Sequence, residues 1–148
     1  MSNRGGLPFD VTRKVRDTCL CLHVQRTARA LARRFDEALR PLKLTNGQFS
    51  LLMSLNSAEG SSIGRVSTLL AMDRTTLTAN LKPLERRGLM KVMVDPADKR
   101  GRRLTLNPAG QARLAAAVAV WKRAHAAIDR LLARSNPDRL REDLRALS

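Results

Sequence analysis

Residues 73–106 read DRTTLTANLKPLERRGLMKVMVDPADKRGRRLTL, and this stretch changes period halfway along. From Asp73 to Gly88 it repeats as a helix. Asp73 is a good N-cap, and its carboxylate also suits the positive end of the helix dipole. Gly88 is a natural stop. At about 100° per residue, Leu77, Leu81 and Leu84 share one side. Thr75, Thr78, Ala79, Lys82 and Arg86 share the other. Pro83 lies inside the helix and is expected to bend its last turn or cost one backbone bond. After Gly88 the pattern is that of strands: Leu89–Val94 and Arg103–Leu106. They are separated by the charged turn Asp95–Arg102, which holds Pro96 and Gly101.

Working outward, Thr45 and Gln48 have the spacing of a capping box and open a largely apolar helix. Residues 56–62 are polar, contain Gly60 and read as a loop. A short helix is expected over Ile63–Ala71. The order helix, helix, polar-faced helix, hairpin is the pattern of a winged helix-turn-helix. Asp10–Leu39 carries no Gly or Pro and reads as one helix of about 30 residues, long for a globular protein, ended by Pro41. Pro108 begins another helix, running to about Arg134. Leu140, Leu144 and Leu147 mark a final amphipathic one. The expected fold is mainly α with a small β-hairpin wing. Residues 45–107 are expected to form this winged lobe, and residues 1–44 with 108–148 a helical region long enough to bury part of itself against a partner chain.

The outward face of residues 73–88 is small, hydroxylated and basic, which lets a backbone approach a major groove. Threonine is a mediocre helix former, so Thr75, Thr76 and Thr78 are not placed there for helix stability. Their hydroxyls can bond phosphates or bases, and their methyls can touch a thymine methyl. Arg74 can reach a base edge or phosphate. The turn adds Asp98, Lys99, Arg100, Arg102 and Arg103, and an arginine on such a turn suits the deep negative potential of a minor groove. The formal net charge of +15, from 28 Lys+Arg against 13 Asp+Glu, favours a polyanionic partner. The basic residues are spread along the chain, so charge alone does not mark the binding surface. A non-specific nucleic-acid-binding or chromatin-organising protein would share this charge without preferring a palindrome.

Other classes find little support. No run approaches the roughly 18 apolar residues of a membrane span. Residues 1–8 lack a secretory leader's apolar core, so a cytoplasmic location and no membrane partner are expected. There is no metalloprotease, hydrolase or phosphate-loop motif, hence no enzyme and no cofactor. Cys19, Cys21 and His23 alternate sides of one expected helix, which argues against a metal site.

Several segments resemble the MarR family of transcriptional regulators. They are Leu77–Thr78 with Leu84–Leu89, then Asp95–Gly101, then Leu104–Leu106 with Pro108–Gly110. The family's D-x-R wing is similar to Asp98 and Arg100. Asn107 departs from a threonine usual before the last long helix, which affects its cap. The resemblance implies a dimer interlocked through the first and last helices and a wing held by Asp98 while Arg100 enters a minor groove. It implies near-palindromic double-stranded operators and repression relieved by oxidation or by a small phenolic or lipophilic effector. Cys19 and Cys21 are the redox candidates, Cys21 standing where the organic-hydroperoxide subgroup carries a reactive cysteine. Arg16 and Arg26 are the neighbouring cations that could favour a thiolate. That subgroup's supporting tyrosines are absent, with Gln25 and Phe35 roughly in their places. His23, Arg26 and Phe49 are the ligand-pocket candidates.

Overall fold

The computed structural model describes residues 6–148; residues 1–5, the start of the expected dimerisation region, lie outside it. The chain divides into two compact units, Met1–Arg34 and Phe35–Ser148.

In the first unit, the single helix expected over Asp10–Leu39 is two. Helix α1 spans Phe9–Thr18, and α2 spans Leu20–Leu39, its last residues belonging to the second unit. The break is Cys19, whose φ −70° and ψ 109° are extended. The Thr18 hydroxyl donates to the Lys14 carbonyl at 2.7 Å, a back-bond that loosens helix interiors. The Cys19 carbonyl in turn accepts the His23 backbone N–H at 3.2 Å and lies 2.8 Å from His23 Nδ1. Cys19 therefore closes one helix and opens the next. No residue of α1 is buried, and Phe9, Val11, Val15, Leu20 and Val24 remain exposed.

The second unit continues with a 3-10 turn, Arg40–Leu42, seated by Pro41. Then follow α3 (Asn46–Ser54), β1 (Ser61–Ser62), α4 (Ile63–Leu70), α5 (Arg74–Arg86), β2 (Met90–Val94), β3 (Arg102–Leu106), α6 (Pro108–Leu131) and α7 (Pro137–Ala146). The capping box at α3 is complete: Gln48 N–H donates to Thr45 Oγ1 and Thr45 N–H to Gln48 Oε1, both at 3.1 Å. The sheet is antiparallel in the order β1-β3-β2, with Val92 opposite Leu104. β1 lies in the segment expected to be a loop. Two serines carry no period to read, and they become a strand only by pairing with β3. Gly60, at φ +77°, makes that approach. A Cβ there would fall 2.8 Å from both the Leu104 carbonyl oxygen and Arg103 Cγ.

The core is leucine-rich, with Leu39, Leu52, Leu55, Leu77, Leu84 and Leu104 fully buried beside Met90 and Val66. Each such side chain contributes about 2 kcal/mol by burial. Gly110 lets the start of α6 pack against the backbone of Leu89, just before β2, since a Cβ there would run into the Leu89 carbonyl oxygen. Asn107 makes no side-chain cap; its amide donates instead to the Gly88 carbonyl at 3.1 Å, tying α6 to the end of α5. Helix α6 stops at Leu131, short of the expected Arg134. On α7 no residue is buried.

Candidate nucleic-acid interface

Helix α5 is set by its two faces and its cap. Leu77, Leu81 and Leu84 are its buried residues, and the helix runs through Pro83 without ending. Gly88, at φ +68°, gives the left-handed stop. The outward seam opposite the leucines is Thr75, Ala79, Lys82 and Arg86, all exposed, with Thr78 on its flank. The three threonines are not equivalent. Thr76 is drawn into the cap: its N–H donates to Asp73 Oδ1 at 2.8 Å and its hydroxyl to Asp73 Oδ2 at 2.6 Å. These bonds, the hydroxyl's first, hold the Asp73 carboxyl below the usual carboxylate range. The Thr78 hydroxyl donates to the Arg74 carbonyl at 2.8 Å, and the residue stays exposed. Thr75 makes no side-chain hydrogen bond among the described residues. Arg74, expected to reach outward, has its guanidinium near Gly64, where an added Cβ would meet Nη2 at 3.2 Å.

The wing is β2, β3 and the turn between them. Lys99, Arg100 and Arg102 are exposed, Arg102 as the first residue of β3 rather than part of the turn. Asp98 braces the tip: its Oδ1 accepts the Arg100 N–H at 3.0 Å and its carbonyl the Gly101 N–H at 2.9 Å. Asp95 braces the base. Its Oδ1 accepts the Ala97 N–H at 2.9 Å and lies 3.3 Å from Arg103 Nη2. Arg103, grouped by sequence with the outward cations, is thus half-buried and paired. The residue that sequence reasoning passed over is Asp95. Strand register brings it there: Met93 faces Arg103, so Asp95, two residues on, is Arg103's diagonal neighbour on one face.

The effector candidates fall in different places. His23 and Arg26 line a recess of about 510 Å³ on α2, with Thr27, Arg29, Ala30 and Arg33. Phe49 belongs to the buried core of the second unit. Cys19 is half-buried at the helix break and Cys21 is exposed. The Gln25 side-chain amide donates to Cys21 Sγ at 3.3 Å. Arg16, expected as a cation for a thiolate, is instead engaged by Asp17 through contacts of 2.6 and 3.0 Å. Among the described residues, no three His, Cys, Asp or Glu gather as metal ligands. No helix there is long and apolar enough to cross a membrane.

A leucine-backed helix with a polar seam, entered from two shorter helices and followed by a braced hairpin, defines a winged helix-turn-helix. Residues 44–101 match the MarR family profile. The Mycobacterium tuberculosis transcriptional regulator MosR, solved with DNA, is 37% identical. The alignment covers 87% of this chain and 92% of MosR, with a TM-score of 0.78. The transcriptional repressor CouR, solved on a 23-mer DNA duplex, is 30% identical over 90% of this chain and 94% of CouR, with a TM-score of 0.80. CouR has also been solved with p-coumaroyl-CoA, at 28% identity over 90% and 94% of the two chains and a TM-score of 0.79. The regulator BilQ of Clostridioides difficile is 30% identical over 76 residues, 51% of each protein. The chain spans about half the length of the curated relatives it matches. It belongs to the MarR family.

Proposed function

We propose that the chain is a sequence-specific transcriptional regulator that binds near-palindromic duplex DNA as a homodimer and represses until an effector releases it. The observation that carries this reading is the exposed seam Thr75, Ala79, Lys82 and Arg86 on a helix whose other face is locked into the core. Such a helix fits a major groove. Thr75, Thr78, Lys82 and Arg86 are its contacts, with Thr76 positioning the helix start through Asp73. Arg100 is the minor-groove arginine, with Lys99 and Arg102 on flanking phosphates. MosR and CouR, each solved on DNA, support the same reading. The exposed apolar residues of α1 and α7 supply the surfaces for a second copy.

For release, we propose oxidation at Cys21. The thiolate sulfur attacks the terminal hydroperoxide oxygen, the O–O bond breaks to give a sulfenic acid, and the leaving alkoxide takes a proton from water to become an alcohol. Gln25 supplies the hydrogen bond to sulfur that this chain, having no tyrosine, cannot draw from a phenol. A second reading, release by an aromatic or acyl-thioester ligand with structural cysteines, draws on CouR's p-coumaroyl-CoA complex and on the basic recess holding His23 and Arg26.

One experiment tests both levels: selecting bound duplexes from a random pool, with and without organic hydroperoxide. An inverted-repeat consensus that is lost on oxidation, and kept by Cys21→Ser, is expected. Binding without a consensus would replace this reading with that of a non-specific nucleic-acid-binding protein. A consensus that Cys21→Ser and wild type lose alike under peroxide would remove Cys21 from the mechanism.

A further inference from the structure

The wing carries one arginine whose charge is already paired within the protein. Arg103 has its side chain 32% exposed and Asp95 21%, with Nη2 and Oδ1 3.3 Å apart. The stem of Arg103 passes beneath Gly60, where a Cβ would lie 2.8 Å from Cγ. Both ends of Arg103 are therefore held, the stem by the chain entering β1 and the head by the acid that follows β2. The same Asp95 oxygen also takes the Ala97 N–H at 2.9 Å. The Asp95 N–H donates to the Gly101 carbonyl at 3.1 Å, and a Cβ on Gly101 would press on Asp95 Cβ at 3.4 Å. Arg100 sits one residue from this locked point, its own N–H held by Asp98 at 3.0 Å.

We infer that Arg103, clasped by Asp95 against Gly60, is a positioning residue that fixes where the wing presents Arg100, and is not itself a contact to DNA. The inference rests on the DNA-binding reading above. It assigns the wing's cations two tasks that their shared charge conceals. Arg100, Lys99 and Arg102 face outward to a polyanion. Arg103 has its charge matched within the protein, so it has no phosphate counterion to displace.

The salt dependence of binding separates these tasks, because each protein cation that replaces counterions on a phosphate adds about 0.9 to the slope of log K against log salt. The probe is the duplex selected by the full-length wild-type chain from a random pool. Arg103→Ala is expected to weaken binding about tenfold, its salt slope falling no further than that of Arg100→Ala, the contact through which it acts. In an Arg100→Ala background the same substitution is expected to add less than about twofold and no further change in slope, because Arg100 is the contact it chiefly places. Arg103→Lys, which keeps the pair with Asp95, is expected to recover most of the affinity. A slope that falls by about one further unit when Arg103→Ala is added to Arg100→Ala, with losses that add, would overturn the inference by making Arg103 itself a contact. Unchanged affinity in Arg103→Ala would overturn it by leaving the clasp idle. Amide hydrogen exchange in the free protein tests the clasp apart from DNA. Arg103→Ala is expected to speed exchange at Arg100 and Gly101 while α3 and α6 amides stay as in wild type. If the wild type selects no duplex, the DNA reading fails and takes the positioning role with it, even where exchange shows the clasp to be real. If exchange at the turn does not change, the clasp fails whatever DNA is bound.

Discussion

Helices α5 and α7 are both short and amphipathic, yet they end in opposite circumstances. On α5 the leucine stripe at 77, 81 and 84 is buried, with Leu77 at 0% exposure. On α7 the equivalent stripe, Leu140, Leu144 and Leu147, is exposed, as are Phe9, Val11 and Val15 of α1. The sequences of the three helices announce an apolar face equally well. What differs is whether the same chain supplies the cover. An apolar stripe shows that a face is to be buried and leaves its partner open. In the winged lobe the partner is internal, and the outward face, the one proposed to meet DNA, stays exposed. In the terminal helices the apolar face is itself the outward one, which is why we assign them to a second copy.

That contrast yields graded expectations. The largest effect belongs to Gly110. Its replacement by alanine drives a Cβ toward the Leu89 carbonyl oxygen and is expected to cost more than about 3 kcal/mol, the upper range of overpacking. Chemical denaturation measures it, and a near-neutral result would mean α6 does not start against Leu89 as described. Leu77→Ala is expected to cost about 3 kcal/mol through the cavity it leaves. The matched change on the other kind of helix, Leu144→Ala, should alter the folding of an isolated monomer by less than about 0.5 kcal/mol while weakening self-association. Sedimentation across a concentration series, read beside denaturation, would show it. If Leu144→Ala unfolds the chain as Leu77→Ala does, without changing association, the division between internally and externally covered stripes collapses.

The smallest effect concerns the cap of α5 and comes with a pH signature. Asp73 has its carboxyl pKa lowered in the folded protein, first by the Thr76 hydroxyl and then by backbone N–H groups. A lowered folded value means the contribution is fully present above the ordinary carboxylate range. It is lost as pH falls through the lowered value. Asp73→Asn keeps a cap without the charge. Thermal midpoints of the two proteins are therefore expected to differ slightly at neutral pH and to converge in acid. A gap that persists in acid would show that charge is not what distinguishes the two caps.

Much of the lobe was legible in residues 73–106. Periodicity placed the leucine stripe of α5, and Asp73 and Gly88 marked its ends, because caps and stripes are local properties of neighbouring residues. The capping box at Thr45 and Gln48 was legible for the same reason. The break at Cys19 was not, since no Gly or Pro announces it and the hydrogen bonds of Thr18 and His23 decide it. Nor was β1, which exists only through its pairing with β3. Among the candidate contacts, sequence treated Thr75, Thr76 and Thr78 alike, and only their hydrogen bonds distinguish them.

The sequence by itself determined the elements whose causes lie within a few residues: the helix faces, their caps, the turn residues of the hairpin and the sign of the charge. The tertiary structure alone decided which charges point outward. Arg103 and Arg100 differ by three positions in the chain and not at all in chemistry. Asp95, eight residues from one of them and brought alongside by strand register, neutralises one and leaves the other free. Pairing across strands depends on which residues the fold makes neighbours, and that information is not stored in any short stretch of the chain.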